Sequence, residues 1–115
     1  NSYSYEDTLL MIELFIRSSI NSKLKSYVIT SKDYSRKENL FILKFVLSKI
    51  KRIMRKNSLI IRISINKAVI ITPETEAKDI YNIINIVNSG DEIIDMYQID
   101  NDEYLKNKEF VNLFL

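Results

Sequence analysis

The stretch Leu59–Thr72, LIIRISINKAVIIT, contains two runs rich in β-branched residues that meet at Asn66 and Lys67. β-Branched side chains favour strands, and asparagine tolerates the positive φ that a tight connection between two strands requires. The stretch therefore predicts a β-hairpin with strands over 59–65 and 67–72.

Amphipathic helices are predicted on both sides of this hairpin. Residues 36–56 place apolar side chains on one continuous arc and basic side chains on the other, so this helix is expected to pack on a core by one face. After the hairpin, Thr72 is expected to cap a second helix that has Pro73 at its first position. Gly90 is expected to supply the left-handed stop of that helix. Its predicted core stripe consists of Ala77, Ile80, Ile83, Ile84 and Val87.

Shorter patterns at 25–30 and 92–99 are interpreted as two more strands, with a short helix as the alternative at 92–99. The resulting order of strand, helix, hairpin, helix and strand is the βαββαβ order of a ferredoxin-like domain. We therefore predict a single α+β domain over 1–115, with a ferredoxin-like core over 23–100, an extra N-terminal helix over 1–22 and a C-terminal helix over 101–115. A mostly helical domain with one β-hairpin is the alternative fold.

Two known families share this order of elements. Residues 25–100 resemble the small ferredoxin-like module that precedes a THUMP domain in tRNA-modifying enzymes, and residues 40–99 are similar to a BON domain. The BON pattern has glycines in the hairpin and before the last strand, whereas this chain has only Gly90. The THUMP-associated module enters its first helix through Gly-Asn-Arg, where this chain has Asp33, Tyr34, Ser35 and Arg36. Neither resemblance therefore assigns a functional residue.

The composition excludes most familiar enzyme chemistry. The 115 residues include no cysteine and no histidine, which removes thiol nucleophiles, disulfides, Ser-His triads and the usual zinc or iron ligand sets. A single glycine excludes dinucleotide-binding and P-loop motifs, because phosphates approach the backbone only where several glycines stand. We therefore predict a protein that is not an enzyme and has no cofactor. Isoleucine outnumbers alanine by 20 to two, which is typical of an AT-rich genome.

Residues 91–103 contain a cluster of acidic side chains, which are the candidate ligands for a hard cation in this sequence. Asp100, Asn101 and Asp102 begin like a calcium-binding loop, but Leu105 stands where that loop requires glycine. No metal site is therefore predicted.

The sequence also bears on where the chain is found. No apolar run reaches the roughly 18 residues needed to cross a bilayer, and the first residues lack the basic start of a secretory leader. A cytoplasmic location is therefore expected. Because the chain begins with Asn1 and not Met, we expect an excised domain or a processed form.

Charge is strongly segregated along the chain, although the formal net charge is only +2. Residues 36–67 contain ten basic side chains and one acidic side chain, whereas residues 68–115 contain ten acidic and three basic ones. Such segregation indicates that the basic helix meets the acidic part of its own chain, that of another subunit, or a separate polyanion. The alternative is that both regions are simply solvated faces.

The first functional hypothesis is a protein-interaction or self-assembly module. Residues 5–20 have apolar side chains on two sides, which is typical of a helix with two neighbours. One neighbour is expected to be the sheet, and the other a protein partner or a second copy of the chain. The residues assigned to this contact are Leu10, Met11 and Leu14 for apolar packing, and Lys44, Lys51 and Arg55 opposite Asp91, Asp95 and Asp102 for orientation.

The second hypothesis is a nucleic-acid-binding accessory domain that uses the helix at 36–56. Two rings four residues apart among cations suit stacking on unpaired bases. The competing interpretation is that the N-terminal helix or the loop at 31–35 covers both rings. The hairpin strands contain no aromatic residue, and their expected outward positions, Ile60, Arg62 and Ser64, do not form an RNA-binding sheet face. The residues assigned to nucleic acid are Phe41, Lys44, Phe45, Lys49, Lys51, Arg52 and Arg55.

Overall fold

The computed structural model describes residues 5–18, 24–32, 36–54 and 58–99. These residues form, in order, α1 (Tyr5–Ser18), β1 (Leu24–Ser31), α2 (Arg36–Ile53), β2 (Leu59–Ser64), β3 (Lys67–Pro73), α3 (Glu74–Val87) and β4 (Ile94–Ile99). The predicted α+β class is confirmed, and the mostly helical alternative is wrong. The short helix considered at 92–99 is also wrong, because that segment contains strand β4. The C-terminal helix predicted over 101–115 lies outside the described residues.

The four strands form one antiparallel sheet in the order β2-β3-β1-β4. Strand β1 lies inside the sheet, where Tyr27 is opposite Ile70 of β3 and Gln98 of β4. The hairpin of β2 and β3 has a register shift between Arg62 and Ser64. There the guanidinium of Arg62 donates to the backbone carbonyls of Ser64 and Ile65 at 3.2 and 2.6 Å, so this side chain closes the turn.

The larger core lies between one face of the sheet and helices α2 and α3. We call it the first core. Strands contribute alternate residues to this face because side chains repeat every two residues in a strand. Each helix contributes one apolar stripe because side chains repeat every 3.6 residues in a helix. Its buried members are Tyr27, Ile29, Leu43, Val46, Leu47, Ile50, Ala68, Ile70, Ala77, Ile80, Ile84, Ile94 and Met96.

A smaller core, called the second core, lies on the opposite face of the sheet. Its buried members are Leu24, Val28, Ile61, Val69, Ile71 and Ile99. Met11 of α1 packs against it, together with Leu59 and Ile63 of β2. Helix α1 is therefore on the other side of the sheet from α2 and α3.

The start of α3 differs from the prediction. Pro73 is the N-cap residue, with φ −58° and ψ 148°, and it makes no side-chain cap hydrogen bond. The hydroxyl of Thr72 donates instead to the carboxylate of Glu76 at 2.7 Å. The prediction of a Thr72 cap is wrong because β3 continues through Pro73, so Thr72 is a strand residue and the helix begins one residue later than predicted.

The end of α3 depends on asparagine as well as glycine. Gly90 has φ +89°, as expected for a left-handed residue, but the C-cap of the helix is Asn88. The Asn88 backbone N–H donates to the Ile84 carbonyl at 2.9 Å, as in a helix, whereas the next N–H, that of Ser89, donates to the Ile86 carbonyl at 3.2 Å. Gly90 therefore turns the chain toward β4 two residues after the helix is capped.

Candidate interaction surfaces

The side of α2 that faces away from the sheet carries two aromatic rings. Leu43, Val46 and Ile50 point into the first core and are fully buried. The helical period of 3.6 residues then places Phe41 and Phe45 on the opposite side. Their exposed fractions are 72% and 46%.

The expectation that the N-terminal helix covers these rings is wrong, and residues 33–35 of the loop named as the alternative lie outside the described residues. The exposed fractions of Phe41 and Phe45 contradict it directly. The physical reason is that α1 contacts the second core through Met11. That core is separated from α2 by the sheet.

Exposed cations lie on the same helix as the two rings. They are Lys37, Lys44, Lys49, Lys51 and Arg52. Within the described parts of the chain, none of these five cations forms an ion pair. The ammonium of Lys49 lies 5.2 Å from the centre of the Phe45 ring, within the range of a cation–π contact. We call Phe41, Phe45 and these cations the basic-aromatic face.

A shallow apolar groove continues from this face toward β4. It has a volume of about 510 Å³ and is lined by Lys37, Glu38, Phe41, Ile42 and Ile93. Phe41 therefore belongs both to the outer side of α2 and to a concave surface beside it. A ring at such a position is accessible from two directions.

Helix α1 presents a second apolar surface. Leu10 and Leu14 are one helical turn apart and are 53% and 57% exposed, whereas Met11 is half-buried against the second core. The three residues assigned together from the sequence therefore lie on different sides of the helix. We call Leu10 and Leu14 the outer leucine pair.

The acidic residues assigned to the partner contact lie at the end of the sheet near β4. Asp91 and Asp95 are exposed. Burial raises the pKa of Tyr81 and of Tyr97, and the nearby Asp95 carboxylate raises both further. Glu92, next to Asp91, approaches Lys32 at 3.9 Å. Arg55 and Asp102, which were also assigned, lie outside the described residues.

The sequence reasoning missed two side chains, one at each end of α3. Glu76 is only 8% exposed and accepts hydrogen bonds from Ser58 and Thr72. Asn88 makes three side-chain hydrogen bonds to residues 93 and 94. The available signals were an acid at the third position of a helix and an asparagine just before a glycine turn. The outward positions expected for the hairpin were wrong as well, because Ile60 packs against the first core under the helices.

The chain matches no known protein in three kinds of comparison, with models of known protein families, with curated proteins and with solved structures. Among the helices that the structure describes, none is long and apolar enough to cross a membrane. Within the same residues, no three acidic side chains are grouped as a metal site would require.

Proposed function

We propose that the chain is a non-enzymatic, cytoplasmic protein-interaction module, built on a ferredoxin-like core, that associates with a second copy of itself. The fold part of this proposal is supported by the antiparallel order β2-β3-β1-β4 and by the packing of α2 and α3 on one face of the sheet. That arrangement is compatible with the βαββαβ order and leaves α1 as an addition on the opposite face.

The outer leucine pair is the observation that carries the proposal. Leu10 and Leu14 are both more than half exposed on a helix that already contacts the sheet through Met11. Burying a fully exposed leucine side chain contributes roughly 1.5–3 kcal/mol, so covering each of these half-exposed side chains contributes about half of that. In a symmetric dimer both copies contribute Leu10 and Leu14, so four leucine side chains are buried in one interface.

Charge complementarity favours a second copy as the partner. Lys44 and Lys51 on α2 are exposed and without an ion pair among the described residues. Asp91 and Asp95, at the β4 end, are exposed as well. Because α2 lies across the sheet from α1, Lys44 and Lys51 are outside the leucine contact, and they orient a second copy by longer-range attraction to Asp91 and Asp95.

The first experiment measures the absolute mass of the purified chain by light scattering on a sizing column. We expect a mass above 13.6 kDa that falls toward the monomer when Leu10 and Leu14 are both changed to serine. Ile86→Ser is the matched control, since Ile86 is 75% exposed on α3 and has no part in the proposed contact. A monomeric wild-type chain at high concentration would refute self-association.

The second experiment tests the charges by reversal and rescue. The double variant K44E/K51E is expected to associate more weakly than the wild type, and D91K/D95K likewise. A mixture of the two variants should recover the mixed dimer, because each now carries the charge that the other lacks. Equal association of all species, at low and at high salt, would show that charge does not orient the contact.

A further inference from the structure

Phe41 and Phe45 have no role in the self-association described above. Both lie on the side of α2 that is turned away from the first core, and Phe41 is 72% exposed. Large exposed aromatic side chains are costly to leave in water and commonly mark a binding surface. A partner that covers these rings is therefore expected to present flat, apolar faces.

The cations around the rings define the charge of that partner. Lys37, Lys44, Lys49 and Arg52 extend over about 22 Å of helix at a rise of about 1.5 Å per residue. In the described residues none of them has an ion-pair partner. An extended polyanion is thus the ligand that this row of charges fits.

From these two observations, we propose that the basic-aromatic face binds single-stranded nucleic acid. Phe41 stacks on an unpaired base, Phe45 stacks on a neighbouring one, and the four cations Lys37, Lys44, Lys49 and Arg52 contact phosphates along the same strand. Base faces are open for such stacking in single strands, whereas in a duplex they are covered by neighbouring pairs. The ammonium of Lys49 lies over one face of the Phe45 ring, so a base would stack on the other face with this cation close by.

Neither ring is placed to recognise one base over another. Stacking on an aromatic ring tolerates every base, because every base has a π-face. Binding is therefore expected to depend on strand length, bases and salt more than on sequence. Ribose and deoxyribose strands share the stacking and phosphate chemistry, so both are expected to bind.

The experiment titrates the full chain into labelled 12-nucleotide strands of thymidine and of uridine, and into an abasic strand of the same length, followed by fluorescence anisotropy. With four phosphate contacts, affinity for a single strand should fall about fifty-fold between 50 and 200 mM salt. The abasic strand should bind about tenfold or more weakly than the thymidine strand, because it retains the phosphates but has no bases to stack. Equal affinity for the two would overturn the proposal.

Variants separate base stacking from ordinary apolar docking. F41L/F45L keeps an apolar helix face of good helix formers but removes the rings, so it should bind the thymidine strand about tenfold or more weakly. The double change to tryptophan should retain binding. Leucine variants that bind the thymidine strand like the wild type would show that the rings do not stack on bases and would refute the proposal.

Single charge changes test the phosphate contacts. Arg52→Ala should reduce the fall in affinity between the same two salt concentrations from about fifty-fold to about twenty-fold, since one fewer counterion is released. Lys78→Ala is the matched control, because Lys78 is an exposed cation on α3 and not on the helix that carries the rings. A control that lowers affinity as much as Arg52→Ala would show a diffuse charge effect and would contradict a defined site.

This proposal and the self-association proposal fail independently. Leu10→Ser/Leu14→Ser should reduce the mass without reducing affinity for the thymidine strand per chain. F41L/F45L should reduce that affinity without changing the mass. Absence of binding at 100 μM protein in 50 mM salt would overturn the nucleic-acid site, whatever the oligomeric state.

Discussion

Asn88 connects α3 to β4 through its side chain, and its replacement by alanine is the most direct test of how this end of the domain is held. Its Oδ1 atom accepts hydrogen bonds from the backbone N–H groups of Ile93 and Ile94, both at 2.8 Å. Its Nδ2 atom donates to the Ile94 carbonyl at 2.7 Å. Three hydrogen bonds from one side chain thus place the first residues of β4 against the end of the helix.

The magnitude follows from these bonds. A net contribution of about 1 kcal/mol for each gives a loss of about 3 kcal/mol for Asn88→Ala. The backbone of residue 88, with φ −79° and ψ 6°, suits alanine as well as asparagine, so no backbone strain adds to this figure. Asn88→Asp keeps the two acceptor interactions and loses the donor, so it should lose less than the alanine variant.

The assay is urea unfolding followed by circular dichroism, which gives the free energy of unfolding and its slope. Asn85→Ala is the control, because Asn85 lies one turn earlier on α3 and is exposed. That change is expected to leave stability unchanged or slightly raised, as alanine is the better helix former. A loss below 0.5 kcal/mol for Asn88→Ala would refute the view that this side chain holds the turn.

Three further predictions concern the interior. Glu76→Ala should cost about 2 kcal/mol, because the hydroxyls of Ser58 and Thr72 lose their charged acceptor; urea unfolding measures the loss. Ser26→Ala should raise stability by about 1 kcal/mol, because the buried Ser26 hydroxyl has no hydrogen-bond partner within the described residues; the melting temperature shows the gain. Burial chiefly, and then the nearby Tyr81 and Glu74, raise the pKa of Tyr27. The protonated phenol of Tyr27 therefore contributes fully to stability below about pH 10, and this contribution is lost at higher pH. Tyr27→Phe should therefore reduce the fall in stability between pH 9 and pH 11.

Each of these predictions has a contrasting variant. Glu74→Ala removes an exposed acid from the same helical turn and should cost less than Glu76→Ala. Thr72→Val removes a hydroxyl that is hydrogen-bonded and should destabilise, in contrast to Ser26→Ala. A stability gain from both hydroxyl removals would contradict the assigned hydrogen bonds. An unchanged alkaline fall in Tyr27→Phe would show that other groups cause it.

The local patterns of the sequence were enough to predict most elements. The β-branched runs around Asn66 predicted β2 and β3, and the amphipathic stretch after Arg36 predicted α2. Even the short pattern at 25–30 identified β1, which lies inside the sheet. These signals are readable because helices and strands repeat with different periods, so neighbouring residues alone reveal which one forms.

The details that depend on distant residues were predicted less well. Thr72 was assigned as a cap, but its hydroxyl donates a hydrogen bond to Glu76. The same carboxylate accepts a hydrogen bond from the Ser58 hydroxyl, just before β2. Ile60 was placed on the outside of the hairpin, but the helices cover that face. A strand pattern shows that two faces differ, and it does not show which face the helices will cover.

The sequence by itself predicted the kinds and order of the elements from α1 to α3, left strand or short helix open at 92–99, and showed the separation of basic from acidic segments. It also indicated that Phe41 and Phe45 lie on the polar side of α2, because that depends only on helical spacing. The tertiary structure decided that α1 packs on the far side of the sheet and leaves both rings exposed. It also brought Leu24 opposite Pro73 and Ser26 opposite Ile99 in the sheet. Such pairings join residues far apart in the chain, and their stability comes from burial on a shared face, which no local pattern contains.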